Sequence, residues 1–104
     1  MINVITIGAA TRDVFLESKD FKFIESDEFR GGVGECLALG SKNEVSNIFF
    51  STGGGATNAA VTFARLGLKA GVIARVGSDQ SGDEVLRVLK KEKVDAKLIQ
   101  RDAN

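Results

Sequence analysis

The residues best able to do chemistry in this 104-residue chain are a carboxylate, a run of glycines and the amide that follows it. Ser51-Thr52-Gly53-Gly54-Gly55-Ala56-Thr57-Asn58 places three consecutive glycines before a stretch of helical periodicity. Glycines there let backbone approach a ligand without Cβ interference, and the N–H groups of a helix start favour an electronegative oxygen. A phosphate or a sugar hydroxyl would suit, and a tight turn without a ligand would use the same residues. Asn58, in the first helical turn, can donate and accept toward a polyol or cap its own helix. Asp13, five residues past Gly8, can accept hydrogen bonds from vicinal hydroxyls or serve as a turn residue. Asp79, within Gly77-Ser78-Asp79-Gln80-Ser81-Gly82, most simply caps the helix that follows.

The rest of the composition removes other chemistries. With no His and with Cys36 as the sole thiol, the chain has no CxxC pair, HExxH, Ser/His/Asp triad or disulfide framework, so no metal site is expected. Fourteen basic residues balance fourteen acidic ones, which argues against nucleic acid or an anionic membrane as partner. The apolar start, INVITIG, is too short for a signal peptide or a membrane span, so a cytoplasmic location is expected. A chain of this length holds one small domain, which is short for an enzyme that binds two substrates and excludes water, so further residues are expected. The glycine segment is neither GxGxxG, since Asn58 replaces the last Gly, nor GxxxxGK[ST]. Gly8-Ala-Ala-Thr-Arg-Asp13 supplies no dinucleotide fingerprint after the first strand either.

The elements that must position these residues follow from periodicity. Residues 2–7 form a β-branched run expected to be a buried strand ending at Gly8. Ala60, Phe63, Ala64 and Gly67 recur at helical spacing, which predicts a helix from near Ala56 to Gly67. Residues 70–76 predict a second strand, Ser81-x-x-Glu84 resembles a capping box for a helix through Glu92 buried along Val85, Leu86 and Leu89, and residues 97–100 predict a third strand. Setting 14–50 aside, strand, helix, strand, helix, strand is the order of an α/β parallel sheet with right-handed crossovers. Ligands of such sheets bind outside the carboxyl ends of the strands, the edge to which Asp13, the 53–58 loop and the 77–82 loop are assigned. The 14–50 stretch reads as an inserted small antiparallel sheet, with strands at 14–16, 21–24, 37–39 and 48–50. Six of the seven Phe lie in it, on a face that either packs on the chain's own core or forms an interface.

Gly53-Gly54-Gly55-Ala56-Thr57-Asn58-Ala59-Ala60 with Ala64-Arg65-Leu66-Gly67, then Val76-Gly77-Ser78-Asp79-Gln80-Ser81-Gly82, resembles the N-terminal signature of the ribokinase-like carbohydrate kinases, the PfkB family. The resemblance spans the whole chain but only the first third of a typical member. It implies a ribokinase-like parallel sheet with flanking helices, the 14–50 strands forming a lid over the sugar and often a homodimer contact. It implies transfer of the ATP γ-phosphate, with magnesium, to a hydroxyl of a sugar or nucleoside. Residue by residue, Asp13 matches the acidic residue that holds sugar hydroxyls, and Gly53, Gly54 and Asn58 match the glycine pair and the Asn that contact the sugar. Gly55, Ala56 and Thr57 depart from the Gly-Lys-Gly-Ala form of ribokinases. The family's Gly-Ala-Gly-Asp stretch, which supplies the catalytic base, has no counterpart here, and neither has the nucleotide pocket, so no catalytic or cofactor-binding residue is assigned and the chain alone is expected to be inactive. The alternative is a non-catalytic short module for sugar binding or dimerisation.

Overall fold

The computed structural model of the chain describes residues 1–103. It contains two compact units, one of Met1–Asp13 with the chain from Phe50 on, the other of Val14–Phe49. Strand β1 (Val4–Ile7) leads into β2 (Thr11–Glu17), β3 (Lys22–Glu25), β4 (Val33–Cys36) and β5 (Asn47–Gly53). Helix α1 (Gly55–Arg65), strands β6 (Ala70–Ile73) and β7 (Arg75–Gly77), helix α2 (Gln80–Lys91) and strand β8 (Gln100–Asp102) complete the order.

In the first unit β1 and β6 pair in parallel, from Val4↔Ala70 to Ile7↔Ile73, and Gly71 bridges Asp95 in parallel on the other side of β6. Strands β7 and β8 form a second parallel pair, from Arg75↔Gln100 to Gly77↔Asp102. Parallel neighbours need a crossover, and the two helices supply it. Ala56 and Ala60 of α1 are buried together with Val72 of β6 and Val85 and Leu89 of α2. The small side chains on α1 let that helix lie close to the sheet. Asp79 caps α2, its Oδ1 accepting from Gly82 N–H at 2.8 Å.

Several expectations need correction. The expected strand 70–76 is two strands: β6 pairs with β1 and β7 with β8, the change falling at Ala74, whose carbonyl accepts from Gln100 N–H. The third strand lies at 100–102 rather than 97–100, because Asp95 Oδ1 accepts from Lys97 N–H and Ala96 O from Ile99 N–H, bending that stretch into turns. The capping box at Ser81 does not form. Asp79 takes the cap one residue before the helix, and Glu84 is instead paired with Arg87 at 2.6 Å. Leu86 is half-buried, unlike Val85 and Leu89.

The second unit contains the β3–β4 antiparallel hairpin, from Lys22↔Cys36 to Glu25↔Val33. Leu37-Ala38-Leu39 is not a strand: Ala38 O accepts from both Ser41 N–H and the Ser41 hydroxyl, closing a turn. The strand runs instead through Gly34, where the absent Cβ leaves room for the Phe29 ring. Phe15 and Phe49 stack with centroids 4.8 Å apart and planes 9° from parallel.

Candidate functional site

Asp13 lies inside β2 rather than in a turn after the first strand. Side chains alternate along a strand, so Thr11 and Asp13 share one face and Arg12 takes the other. Gly53, the last residue of β5, faces that first side: a Cβ built on it would lie 2.7 Å from Asp13 Oδ2 and 3.2 Å from Thr11 Oγ1. Only glycine leaves the carboxylate where it is. Both Asp13 and Thr11 are exposed, so the carboxylate remains open to hydroxyl donors. Thr11 is the residue that sequence reasoning missed; its signal, two positions before Asp13, appears only once the strand is known to include both.

Gly54 caps α1 with φ +103, and no side chain caps the helix start. A Cβ on Gly54 would collide with Ala9 O, so both backbone conformation and space demand glycine. The loop is tied to the end of β1 by Ala56 N–H donating to Ala9 O at 3.2 Å and the Thr6 hydroxyl donating to Ala56 O at 2.7 Å. The Thr57 hydroxyl donates to Gly53 O at 2.5 Å, with Gly54 O as a second acceptor at 3.1 Å. Asn58 sits in the first turn, as its spacing predicts, its N–H donating to Gly54 O. Its exposed side chain lines a cleft of about 390 Å³ with Thr52, Thr62, Arg65 and Glu92, a cleft that Asp13 does not line. The structure therefore brings Asp13, Gly53 and Gly54 to one place, while the Asn58 side chain lines the cleft beside α1.

The 77–82 loop meets Arg12, not Asp13. Ala10, Arg12, Arg75, Gly77, Asp79 and Asp102 are among the residues around a cleft of about 300 Å³. The Arg12 guanidinium lies 4.4 Å over the Phe50 ring, and its Nε is buried with no hydrogen-bond partner among the described residues. The Arg87 hydrogen bond, with smaller charge effects from Arg87 and Arg12, holds the Glu84 carboxyl below its usual range. Asp102 is occupied by Arg75 at 3.2 Å. Two cations, Arg12 and Arg75, and two carboxylates, Asp79 and Asp102, line this cleft, so its formal charge is balanced. No described group of three His, Cys, Asp or Glu side chains could hold a metal ion.

A carboxylate open to hydroxyl donors beside a side-chain-free loop suits a polyol. Among curated relatives, the 2-dehydro-3-deoxygluconokinase of Bacillus subtilis is 38% identical over 74 residues, covering 65% of this chain and 23% of its own length. The fructokinase structure of Halothermothrix orenii superposes with TM-score 0.64 at 28% identity, over 99% of this chain and 30% of that one. The ribokinase of Cryptococcus neoformans, solved with ADP, gives TM-score 0.70 at 17% identity, over 95% of this chain and 26% of that one. The chain thus spans about a quarter of the length of the proteins it resembles. The fold is ribokinase-like, and no described helix is long and apolar enough to cross a membrane. The model of the pfkB family carbohydrate kinases matches residues 1–104 from end to end, and the chain belongs to that family.

Proposed function

We propose that this chain is the acceptor-binding part of an ATP-dependent kinase that phosphorylates a hydroxyl of a sugar or nucleoside. The observation that carries this is the Asp13 carboxylate set against Gly53, exposed, with the Thr11 hydroxyl beside it. In this role Asp13 accepts from two neighbouring hydroxyls, and the backbone at Gly53 and Gly54 approaches the ring. Asn58 supplies its amide at the rim. Holding the acceptor in one orientation is much of what phosphoryl transfer asks of a protein, since the chemistry depends on alignment and on stabilising charge on the transferred group. ATP and magnesium would supply that group and its charge compensation. On this reading what the chain contributes is the hold on the acceptor. The base and the nucleotide site belong to residues beyond this stretch, and a cytoplasmic setting fits the same reading.

Steady-state kinetics on the complete protein test this, with fructose, 2-dehydro-3-deoxygluconate and adenosine as acceptors. Charge-assisted hydrogen bonds contribute about 1.5 to 3 kcal/mol each, so Asp13→Asn should raise the KM of the best acceptor roughly tenfold or more. The KM for ATP should stay put, and unfolding should shift by no more than about 1 kcal/mol. No turnover of any of the three acceptors, or an unmoved acceptor KM in the variant, overturns the assignment.

A further inference from the structure

We propose that Thr57 is a positioning residue, whose buried hydroxyl fixes the peptide planes that turn the Gly54 and Gly55 N–H groups toward the acceptor. This rests on the acceptor-site reading above and extends it to a residue at which the chain departs from the ribokinase form. Thr57 is 5% exposed, the one buried polar side chain among the described residues. Its hydroxyl reaches the carbonyls of Gly53 and Gly54 together. All peptide bonds here are trans, and in a trans peptide the N–H points opposite to the carbonyl of the residue before it. With Gly53 O drawn toward Thr57, Gly54 N–H must point away from α1. With Gly54 O directed along α1 to Asn58 N–H and Thr57, Gly55 N–H is likewise turned outward. Neither N–H has a hydrogen-bond partner among the described residues.

Three glycines in sequence would otherwise leave these planes poorly held, because glycine gives up more backbone freedom on ordering than any other residue. A loop ordered in the free protein avoids that cost at the moment of binding. Thr57 is thus suited to preset two donors for an acceptor oxygen on the loop whose Gly53 underlies the carboxylate of Asp13. It acts through the backbone, without needing to touch the ligand.

The test compares Thr57→Val, which keeps the shape and loses the hydroxyl, with Thr57→Ser, which keeps the hydroxyl. Kinetics use whichever of fructose, 2-dehydro-3-deoxygluconate and adenosine the complete protein turns over best. Thr57→Val should raise the acceptor KM roughly three- to tenfold with the ATP KM unchanged, and Thr57→Ser should return it to within about twofold of the parent. If the valine protein does not accumulate, Thr57→Ala replaces it under the same expectations. Equal rises in both KM values, or a serine variant as impaired as valine, overturn the positioning role and leave only packing. Asp13→Asn run in parallel separates the two claims. If it raises the acceptor KM while Thr57→Val does not, the positioning role alone falls. If neither moves it, or no acceptor is turned over, the acceptor site falls and the role of Thr57 falls with it.

Discussion

The two units of the chain obtain their order differently. Every buried apolar residue, from Ala56 to Val94, belongs to the unit that carries the parallel strands and both helices. Between Val14 and Phe49 no residue is buried, although five Phe lie there. That unit is held by strand pairing, by the Phe15–Phe49 stack and by polar ties such as Glu44 N–H to Asp20 Oδ2 at 2.8 Å. Phe23 is 75% exposed and Leu39 wholly so. Burial gives the first unit a core, although Ile7 and Leu66 there are also exposed, whereas the second presents apolar surface with no core beneath it. We propose a second copy of the chain as its cover.

Substitution should separate the units most sharply at Leu89, which is 1% exposed. Leu89→Ala is expected to cost about 2 to 5 kcal/mol in denaturant unfolding. Phe15→Ala, at a half-exposed ring, should cost no more than about 1.5 kcal/mol, the order of a stacked aromatic pair. A loss at Phe15 equal to that at Leu89 would abolish the contrast. Phe23→Asp should convert a sedimenting dimer to monomer and leave the melting temperature within a few degrees, since the ring is not part of a core. A parent protein that is monomeric at every concentration would remove the second copy as the cover. The smallest effect is expected at Glu92. The hydrogen bond from Arg65 holds its carboxyl below the ordinary glutamate range, with burial opposing and the Arg65 charge assisting. The folded state therefore binds the proton less readily than the unfolded chain. The pair's contribution is present at neutral pH and is lost as pH falls through that lowered value. The small gap in melting temperature between the parent and Glu92→Gln should accordingly close on acidification.

The elements with strong local patterns could be read from the sequence, namely β1, α1 and α2, and the ribokinase-like fold followed from the glycine signature together with their order; the expected burial of β1 did not hold, since Ile5 and Ile7 are exposed. What escaped was information held by partners far along the chain. Nothing local to Ala74 announces that the strand exchanges β1 for β8 as its neighbour. Leu37-Ala38-Leu39 has the composition of a strand, yet the pairing with Lys22–Glu25 selects Val33–Cys36, glycine included. At the site, the glycine loop was evident as a place of close approach. The face of Asp13, its neighbour Thr11 and the diversion of Arg12 to the 77–82 loop became visible only with β2 extended to Thr11.

The pairing of β2 with β5 and the hydrogen bond from Ala56 N–H to Ala9 O bring the two ends of the intervening stretch together. Such a closure depends only weakly on what it encloses: doubling the length of a flexible loop costs about 0.6 kcal/mol. The turns between the paired strands, away from Asp13, Gly53 and Gly54, are therefore where residues can be gained or lost at small thermodynamic expense. The scaffold around β1 and α1 stays intact through such changes, because its own hydrogen bonds and buried residues lie outside those turns.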